Sequence, residues 1–278
     1  MTFGQRLHDV IGARGPLCAG IDPHPSLLTQ WGLDDTIDGL RRFAGLAAEV
    51  LGAEAGIVKP QSAFFERHGS AGIAVLEEVI ATCREAGALV LLDVKRGDIG
   101  STSQAYADAY LDPRSPLAVD AITVSPYLGF GSLEPFLTTA AAHDAGLFVL
   151  ALTSNPEGPQ FQRAVTEEGA GVGATVLREV AARNADATPL GSVGVVVGAT
   201  VQPSTQRLGE DFAINGPILA PGVGAQGATF DDVRRVFGAS ARHVLPASSR
   251  EILQAGPDAT ALRDAVRRAA DAAGELTR

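Results

Sequence analysis

The stretch Leu91-Leu92-Asp93-Val94-Lys95-Arg96-Gly97-Asp98-Ile99-Gly100-Ser101-Thr102 joins the end of an apolar run to a cluster of charges. Side chains alternate between the two faces of a strand, so Asp93 and Lys95 are predicted to share one face, with Val94 opposite. The pattern sets a cation between two carboxylates, Asp93 and Asp98, at the mouth of a strand. Taken alone, this pattern is typical of a functional site but also of a solvated salt-bridge cluster. The rest of the chain has to decide between these two interpretations.

Apolar runs of strand length recur along the whole chain, and segments with helical spacing separate them. The predicted strands are Leu17–Ile21, Ala55–Val58, Ala88–Asp93, Ala121–Val124, Leu147–Leu152, Val193–Val197, Gly216–Ala220 and His243–Pro246. Alternating strands and helices imply a parallel sheet, and eight units without a linker favour a closed (β/α)8 TIM barrel. The length of 278 residues suits one such barrel, so residues 1–278 are predicted to form a single domain.

Helices are predicted between these strands from their apolar spacing. They are Phe3–Ala13, Thr36–Leu51, Gln61–His68, Ser70–Glu85, Ser101–Leu111, Leu133–His143 and Ala259–Ala273, together with a longer helical region interrupted by glycines at Phe161–Ala185. The segment Ser154–Gly173 follows the fifth strand and is expected to cover part of the barrel or an interface.

Composition excludes several classes of protein. The net charge of −10 argues against a sequence-independent nucleic-acid binder, which needs a basic surface, although it allows a local basic pocket. Cys18 and Cys83 are expected to be buried structural thiols, because they form no C-x-x-C pair, and the five scattered histidines lack the spacing of a zinc site. The N-terminus has no signal-peptide core and the chain no long uncharged apolar run, so we expect a cytoplasmic protein without a membrane span.

Polar groups recur where the predicted strands end. They are Asp22, Lys59, Asp93 with Lys95, Ser125, Gly222–Gly227 and Ser248-Ser249-Arg250. Active sites of (β/α)8 barrels lie at the carboxyl ends of the strands, so these groups are predicted to converge on one mouth. This convergence favours a functional interpretation of the charged stretch over a solvated cluster.

The late loop Pro221-Gly222-Val223-Gly224-Ala225-Gln226-Gly227 contains a literal G-x-G-x-x-G. A dinucleotide-binding fingerprint opens a domain and needs several strands after it, whereas only one predicted strand follows here. Phosphate binding is the better interpretation, because glycines let backbone N–H groups approach an anion closely. Arg250 can add a bidentate fork and Gln226 a further donor; a flexible turn is the alternative.

These motifs together resemble the orotidine 5'-monophosphate decarboxylase family, and within it the longer bacterial subgroup. The resemblance rests on four motifs that match the family in order along nearly the whole chain, namely Ala19-Gly20-Ile21-Asp22, Ile57-Val58-Lys59-Pro60, Asp93-x-Lys95-x-x-Asp98-Ile99-x-x-Thr102 and Pro221–Gly227. Arg250 stands where the family's phosphate-binding arginine follows the eighth strand. The motif D-x-K-x-x-D alone is shared with sugar-phosphate decarboxylases and synthases of the same superfamily, so the combination carries the assignment.

The resemblance implies a homodimer of barrels that converts orotidine 5'-monophosphate (OMP) to UMP and CO2 with no metal or organic cofactor. It implies that Lys59, Asp93 and Lys95 form a charged row, completed by Asp98 from the partner subunit. Asp22, and Thr102 of the partner, would contact the ribose. The other implied substrate contacts are Ser132 at the pyrimidine, with Ser125 as the alternative, and Pro221, Gln226, Gly227 and Arg250 around the phosphate.

Two other functions stay open from the residues. A metal-dependent sugar-phosphate lyase or synthase would need an acidic ligand at a neighbouring strand end, where Lys59 stands instead. A non-enzymatic phosphosugar- or nucleotide-binding barrel would have little use for two lysines among two carboxylates, since buried charges are costly to keep.

Overall fold

A computed structural model of the chain describes residues 1–201, 211–223 and 227–276. Its strands are β1 (Cys18–Ile21), β2 (Ile57–Pro60), β3 (Leu89–Arg96), β4 (Ala121–Val124), β5 (Gly146–Leu152), β6 (Val193–Val197), β7 (Ile218–Pro221) and β8 (Val244–Ser248). Within the described residues these eight strands pair in parallel in sequence order, and β8 pairs with β1 to close the barrel. The predicted (β/α)8 architecture is confirmed.

Helices surround the barrel on the outside, and all of those described except one short helix bury apolar side chains. They are α1 (Phe3–Arg14), α2 (Pro25–Gln30), α3 (Ile37–Glu54), α4 (Ala63–Glu66), α5 (Gly69–Glu85), α6 (Gly100–Leu111), α7 (Glu134–Ala142), α8 (Pro159–Gln162), α9 (Val172–Arg183), α10 (Phe230–Phe237), α11 (Arg250–Leu253) and α12 (Ala259–Ala273). No helix was predicted at α2, α10 or α11. A signal for α10 was present, because Thr229 and Asp232 form a reciprocal capping box at its start.

The predicted helical region over Phe161–Ala185, interrupted by glycines, is helical only at its two ends. The chain instead ends the short helix α8, reverses direction, and begins α9 at Val172. Val165 and Gly171 pair as an antiparallel bridge across this reversal, and Gly169 takes a φ of 81° that residues with a side chain rarely adopt. A turn that places a glycine in the left-handed region cannot continue a right-handed helix.

The interior of the barrel is apolar at its lower end, the end from which the strands start. Phe3 and Leu7 of α1 close that end and are buried against strand residues. Phe3 packs edge-to-face on Phe148 of β5, with 6.2 Å between ring centroids. Charged groups inside the barrel are therefore concentrated at its opposite end, where the strands finish.

Cys18 and Cys83 are both free and buried, as predicted. Burial raises the pKa of each thiol to about 12, so both stay protonated near neutral pH. None of the described helices is long and apolar enough to cross a membrane.

Candidate active site

A row of alternating charges crosses the ends of the first three strands. Lys95 Nζ lies 2.6 Å from Asp93 Oδ1, and Lys59 Nζ lies 3.3 Å from Asp93 Oδ2. Asp22, directly after β1, extends the row, with its Oδ1 4.0 Å from Lys59 Nζ. The prediction that Asp93 and Lys95 share a face is confirmed, while Val94 is buried on the other side against the helices.

Burial and pairing act in opposite directions on these charges. Burial would raise the pKa of Asp93, but the ammonium groups of Lys59 and Lys95 outweigh it and lower that pKa to about 2. Burial would likewise lower the pKa of Lys59, but the carboxylates of Asp22 and Asp93 outweigh it and raise that pKa. Both groups are therefore charged at neutral pH, and each keeps the other so.

The end of β3 departs from regular strand geometry at Lys95. Its φ is 45°, in the left-handed region, and its backbone N–H donates to Thr123 Oγ1 of β4 at 2.9 Å. The Thr123 hydroxyl in turn donates to Asp93 Oδ1 at 2.8 Å. The two oxygens of Asp93 are thus fixed by three different groups, which leaves the carboxylate little freedom to turn.

The residue after Lys95 anchors this strand end to the outer helices. Arg96 pairs with Glu66 of α4 at 2.5 Å, and its guanidinium lies 5.6 Å from the ring centroid of Tyr106 in α6. Ser62 donates a second hydrogen bond to the same Glu66 carboxylate. This anchor holds the chain on the C-terminal side of Lys95.

A cavity of about 400 Å³ opens above the charged row, at the carboxyl ends of the strands. Its size is in the range of small-molecule sites. Six predicted site residues line it together, and they are Asp22, Lys59, Asp93, Lys95, Pro221 and Arg250. The convergence of strand-end groups that the sequence indicated is present in the structure.

Four other predicted site residues, Asp98, Thr102, Ser132 and Gly227, do not line this cavity. Asp98 and Thr102 lie beyond Lys95, where the Asp98 carboxylate accepts from the Ile99 N–H and Thr102 is exposed on α6. Ser132 donates its hydroxyl to the Gly129 carbonyl at 2.7 Å. Gly227 is exposed with a φ of 86°. The prediction for Gln226 lies outside the described residues.

Several cavity residues had been missed from the sequence. The loop after β5 contributes Thr153, Ser154 and Asn155, from a segment to which no role in the site had been given. Thr123 could have been found, because it lies two residues from Ala121 and so shares the inward face of β4. Gln61 could have been found in the same way, because it lies two residues after Lys59. Its Oε1 lies 3.4 Å from Lys59 Nζ.

The cavity end beside β8 is rich in hydrogen-bond donors. Arg250 begins α11, and the hydroxyls of Ser248 and Ser249 are buried without a hydrogen-bond partner among the described residues. Gly20 leaves room for Ser249, since a Cβ there would lie 2.6 Å from the Ser249 Cβ. Buried donors are costly unless something accepts from them, so this end suits an anion.

Comparison with known proteins gives the same result over the full chain. The model of the "Orotidine 5'-phosphate decarboxylase / HUMPS family" matches residues 15–265. The chain belongs to this family. The orotidine 5'-phosphate decarboxylase of Salinispora tropica is 61% identical over 277 residues, with 99% of each chain covered. That of Streptomyces coelicolor is 56% identical over 266 residues, with 96% of this chain and 95% of the relative covered.

Solved structures from the orotidine 5'-phosphate decarboxylase family share the fold. A crystal structure from Streptomyces avermitilis superposes with a TM-score of 0.95 at 55% identity, covering 99% of this chain and 96% of its own. The OMP decarboxylase of Leishmania donovani superposes with a TM-score of 0.76 at 28% identity, covering 100% and 99%. The barrel is thus a shared feature of these relatives and this chain.

This family member has two lysines in its whole sequence, Lys59 and Lys95, and both belong to the charged row. We expect an amine-acylating reagent to modify Lys95, whose side chain is 46% exposed, and to spare Lys59. Lys59 is buried and its pKa is raised, so its reactive neutral form is rarer than that of an ordinary lysine. Peptide mass spectrometry with the N-terminal amine as internal reference measures both rates. Equal labelling of the two lysines would contradict the described pairing.

Proposed function

We propose that this chain decarboxylates OMP to UMP and CO2, the reaction for which its closely similar relatives are named, in the synthesis of pyrimidines. The observation that carries the proposal is the row Lys59–Asp93–Lys95 at the mouth of the barrel, with Lys95 Nζ 2.6 Å from Asp93 Oδ1. Incubation with OMP and chromatography of the products tests it. We expect UMP and CO2 in equal amounts, and a chain that forms no UMP from OMP would refute the proposal.

The chemistry explains why such a row is needed. Loss of CO2 from C6 of the pyrimidine leaves a carbanion, and no carbonyl group is placed to take up the electron pair as an enolate. Stabilisation therefore has to come from a fixed charge in a site with little water. We assign this role to the Lys95 ammonium, which can then deliver a proton to C6.

The carboxylates and the second lysine keep that ammonium in place. Asp93 is 8% exposed, and its Oδ1 lies 2.6 Å from Lys95 Nζ. A substrate carboxylate bound beside Asp93 would also be repelled by it, which raises the energy of the ground state. Lys59 holds Asp93 from the other side and can bind a ribose hydroxyl.

The ribose and the pyrimidine have candidate partners on the cavity wall. Asp22 Oδ1 is buried and has no hydrogen-bond partner among the described residues, so a ribose hydroxyl would satisfy it. For the pyrimidine amide we propose Ser154, because it lines the cavity, whereas Ser132 and Ser125 do not. The earlier expectation for Ser132 stays a prediction, which depends on how the loop after β4 is placed when substrate binds.

The phosphate is proposed to bind at the donor-rich end beside β8, far from C6. Arg250, the amides after Pro221, and Gln226 and Gly227 are the groups that we assign to it. Energy gained there can be used to close the site around the reacting part and to exclude water.

Replacement of Arg250 tests this anchor. Arg250→Ala is expected to lower kcat/KM for OMP by about 10²- to 10³-fold, since loss of one partner of a hydrogen-bonded charge pair costs on the order of 2–5 kcal/mol. Arg242→Ala is the matched control, because Arg242 is an exposed arginine before β8, at the other end of the barrel. Steady-state kinetics measure both variants. An unchanged kcat/KM for Arg250→Ala would rule out the phosphate contact.

We further propose a homodimer in which Asp98 and Thr102 complete the site of the partner. Both residues lie outside the cavity of their own chain, and Ile99 beside them is one of several large apolar side chains that are exposed. Ile99 follows Asp98 directly, and Tyr127 contacts Phe161 with 6.0 Å between ring centroids. Exposed apolar side chains of this kind mark an interaction surface, and a second copy of the chain would cover them.

Because the substrate carries phosphate and carboxylate charges that do not cross membranes freely, the proposed place of action is the cytoplasm.

A further inference from the structure

We propose that Thr123 is a positioning residue for the reaction, whose hydroxyl holds the Lys95 backbone and the Asp93 carboxylate in their working arrangement. This inference rests on the proposed function, since it concerns the same site. Thr123 lies in β4, is 1% exposed, and faces the cavity. It carries no charge and stands outside the row of charges, so the motifs in the sequence do not point to it.

One hydroxyl makes two hydrogen bonds to the centre of the site. Its oxygen accepts from the Lys95 backbone N–H at 2.9 Å, and its proton goes to Asp93 Oδ1 at 2.8 Å. The same Asp93 oxygen accepts a hydrogen bond from the Lys95 ammonium at 2.6 Å. Thr123 is thus connected to Lys95 at the backbone directly and at the ammonium through a single carboxylate oxygen.

The pairing of β3 and β4 explains why a side chain is needed there. The strands are in register at Leu92 with Ile122 and again at Arg96 with Val124. Between these pairs β3 has three residues and β4 only Thr123, so the β3 ladder is interrupted. The Lys95 N–H therefore donates to the Thr123 side-chain oxygen and not to a backbone carbonyl of β4.

The irregular pairing between Leu92 and Arg96 is accompanied by an uncommon backbone conformation at Lys95. Its φ of 45° is one that residues with a side chain seldom adopt, and such conformations persist only where the surroundings fix them. On the C-terminal side, the pairing of Arg96 with Glu66 provides part of this constraint. On the N-terminal side, the Thr123 hydroxyl provides it, since it bonds both Asp93 and the Lys95 amide.

Small displacements of Lys95 would matter because the proposed reaction depends on a charge placed close to C6. Misplacement of a reacting group by about 1 Å can reduce a rate by about 10²-fold. A valine at position 123 has nearly the shape of threonine but can neither accept from the Lys95 N–H nor donate to Asp93. It would leave a backbone donor unpaired and free the carboxylate to turn, although no charged side chain is removed.

The test compares Thr123→Val, Thr123→Ser and a matched control in kinetics with OMP. The control is Thr139→Val, which also removes a buried threonine hydroxyl, one that accepts from Gln104 Nε2 at 3.0 Å outside the cavity. We expect Thr123→Val to lower kcat by about 10- to 100-fold, as befits the loss of a hydrogen bond to a charged group. The Kd for UMP should stay within about threefold, because the phosphate and ribose contacts are untouched. Thr123→Ser should recover most of the rate and Thr139→Val should keep all of it.

A crystal structure of the valine variant gives a second measurement, which does not depend on activity. We expect Lys95 to leave the left-handed region and the Lys95 Nζ to Asp93 Oδ1 distance to exceed hydrogen-bonding range. An unchanged kcat in folded Thr123→Val, or an unchanged Lys95 backbone in its structure, would overturn the positioning role. Should the valine variant not fold, kcat and the crystal structure are determined for Thr123→Ala instead, with the same two expected results. If the wild-type chain forms no UMP, the proposed function fails, and the structure of the variant still decides whether Thr123 holds Lys95.

Discussion

Replacing Lys95 by alanine is expected to reduce kcat/KM for OMP by about 10⁴-fold or more while the fold survives. Two effects are lost together, namely charge stabilisation, which typically contributes about 10²–10³, and proton transfer, which contributes about 10²–10⁴. The fold should survive because the Lys95 side chain is 46% exposed and Asp93 keeps Lys59 at 3.3 Å. Single-turnover kinetics with excess enzyme provide the sensitivity to measure the residual rate.

Two comparisons make the Lys95 result specific. Arg41→Ala removes an exposed cation that pairs with Glu78 far from the cavity, and it should leave kcat/KM unchanged. Lys95→Arg keeps the positive charge, but a guanidinium has a pKa too high to donate a proton readily. The kcat/KM of this variant should therefore lie between that of the alanine variant and that of the wild type. Substantial UMP formation by Lys95→Ala would remove Lys95 from the role of proton donor.

Mixing two inactive variants is expected to restore about a quarter of the wild-type activity. In the proposed dimer each site uses its own Asp93 and the Asp98 of its partner. A heterodimer of Asp93→Ala and Asp98→Ala subunits then has one site with neither residue and one site with both. Random exchange makes about half of the dimers mixed, each with one working site of two, which gives about 25%.

The complementation experiment needs proof that subunits exchange. Differently tagged variants, purified through both tags in succession, isolate the mixed dimer, whose activity should be about half that of the wild type. Each variant alone should be inactive but folded. The melting temperature should stay unchanged for Asp98→Ala and fall for Asp93→Ala, because that substitution leaves the buried Lys59 without its nearer carboxylate. Isolated mixed dimers without activity would show instead that Asp93 and Asp98 serve the same chain.

The sequence was sufficient to predict the barrel because its signals are local and repeated. Eight apolar runs and their intervening helices do not depend on each other, so an error in one of them leaves the others intact. The region Phe161–Ala185 shows the limit of this approach. Its apolar spacing suited a helix, but the chain reverses at Gly169, where φ is 81°.

The site was predictable where it lies on strands and less so where it depends on loops. Period-two alternation placed Asp93 and Lys95 correctly, although Lys95 itself is not in an extended conformation. The reason lies in Thr123, 28 residues further along, and no local pattern connects the two. Ser154 was missed for a similar reason, since only the path of the loop after β5 brings it to the cavity.

Asp98 and Thr102 mark a different limit. They belong to the motif that carries the family resemblance, yet the fold of one chain leaves them outside its cavity. Their position suits a site that is shared across an interface between two subunits. This is why the mixed-dimer experiment carries more weight for them than any single substitution.

The rate of OMP consumption in excess EDTA tests the central proposal most directly, because that proposal assigns the chemistry to a row of protein charges. The loss of OMP absorbance is followed in chelator-treated buffer, with and without added divalent metal, and the product is identified as UMP. We expect the same initial rate in all of these conditions. No turnover of OMP in EDTA, together with metal-dependent turnover of a sugar phosphate, would contradict the proposal and favour a metal-dependent lyase on the same barrel.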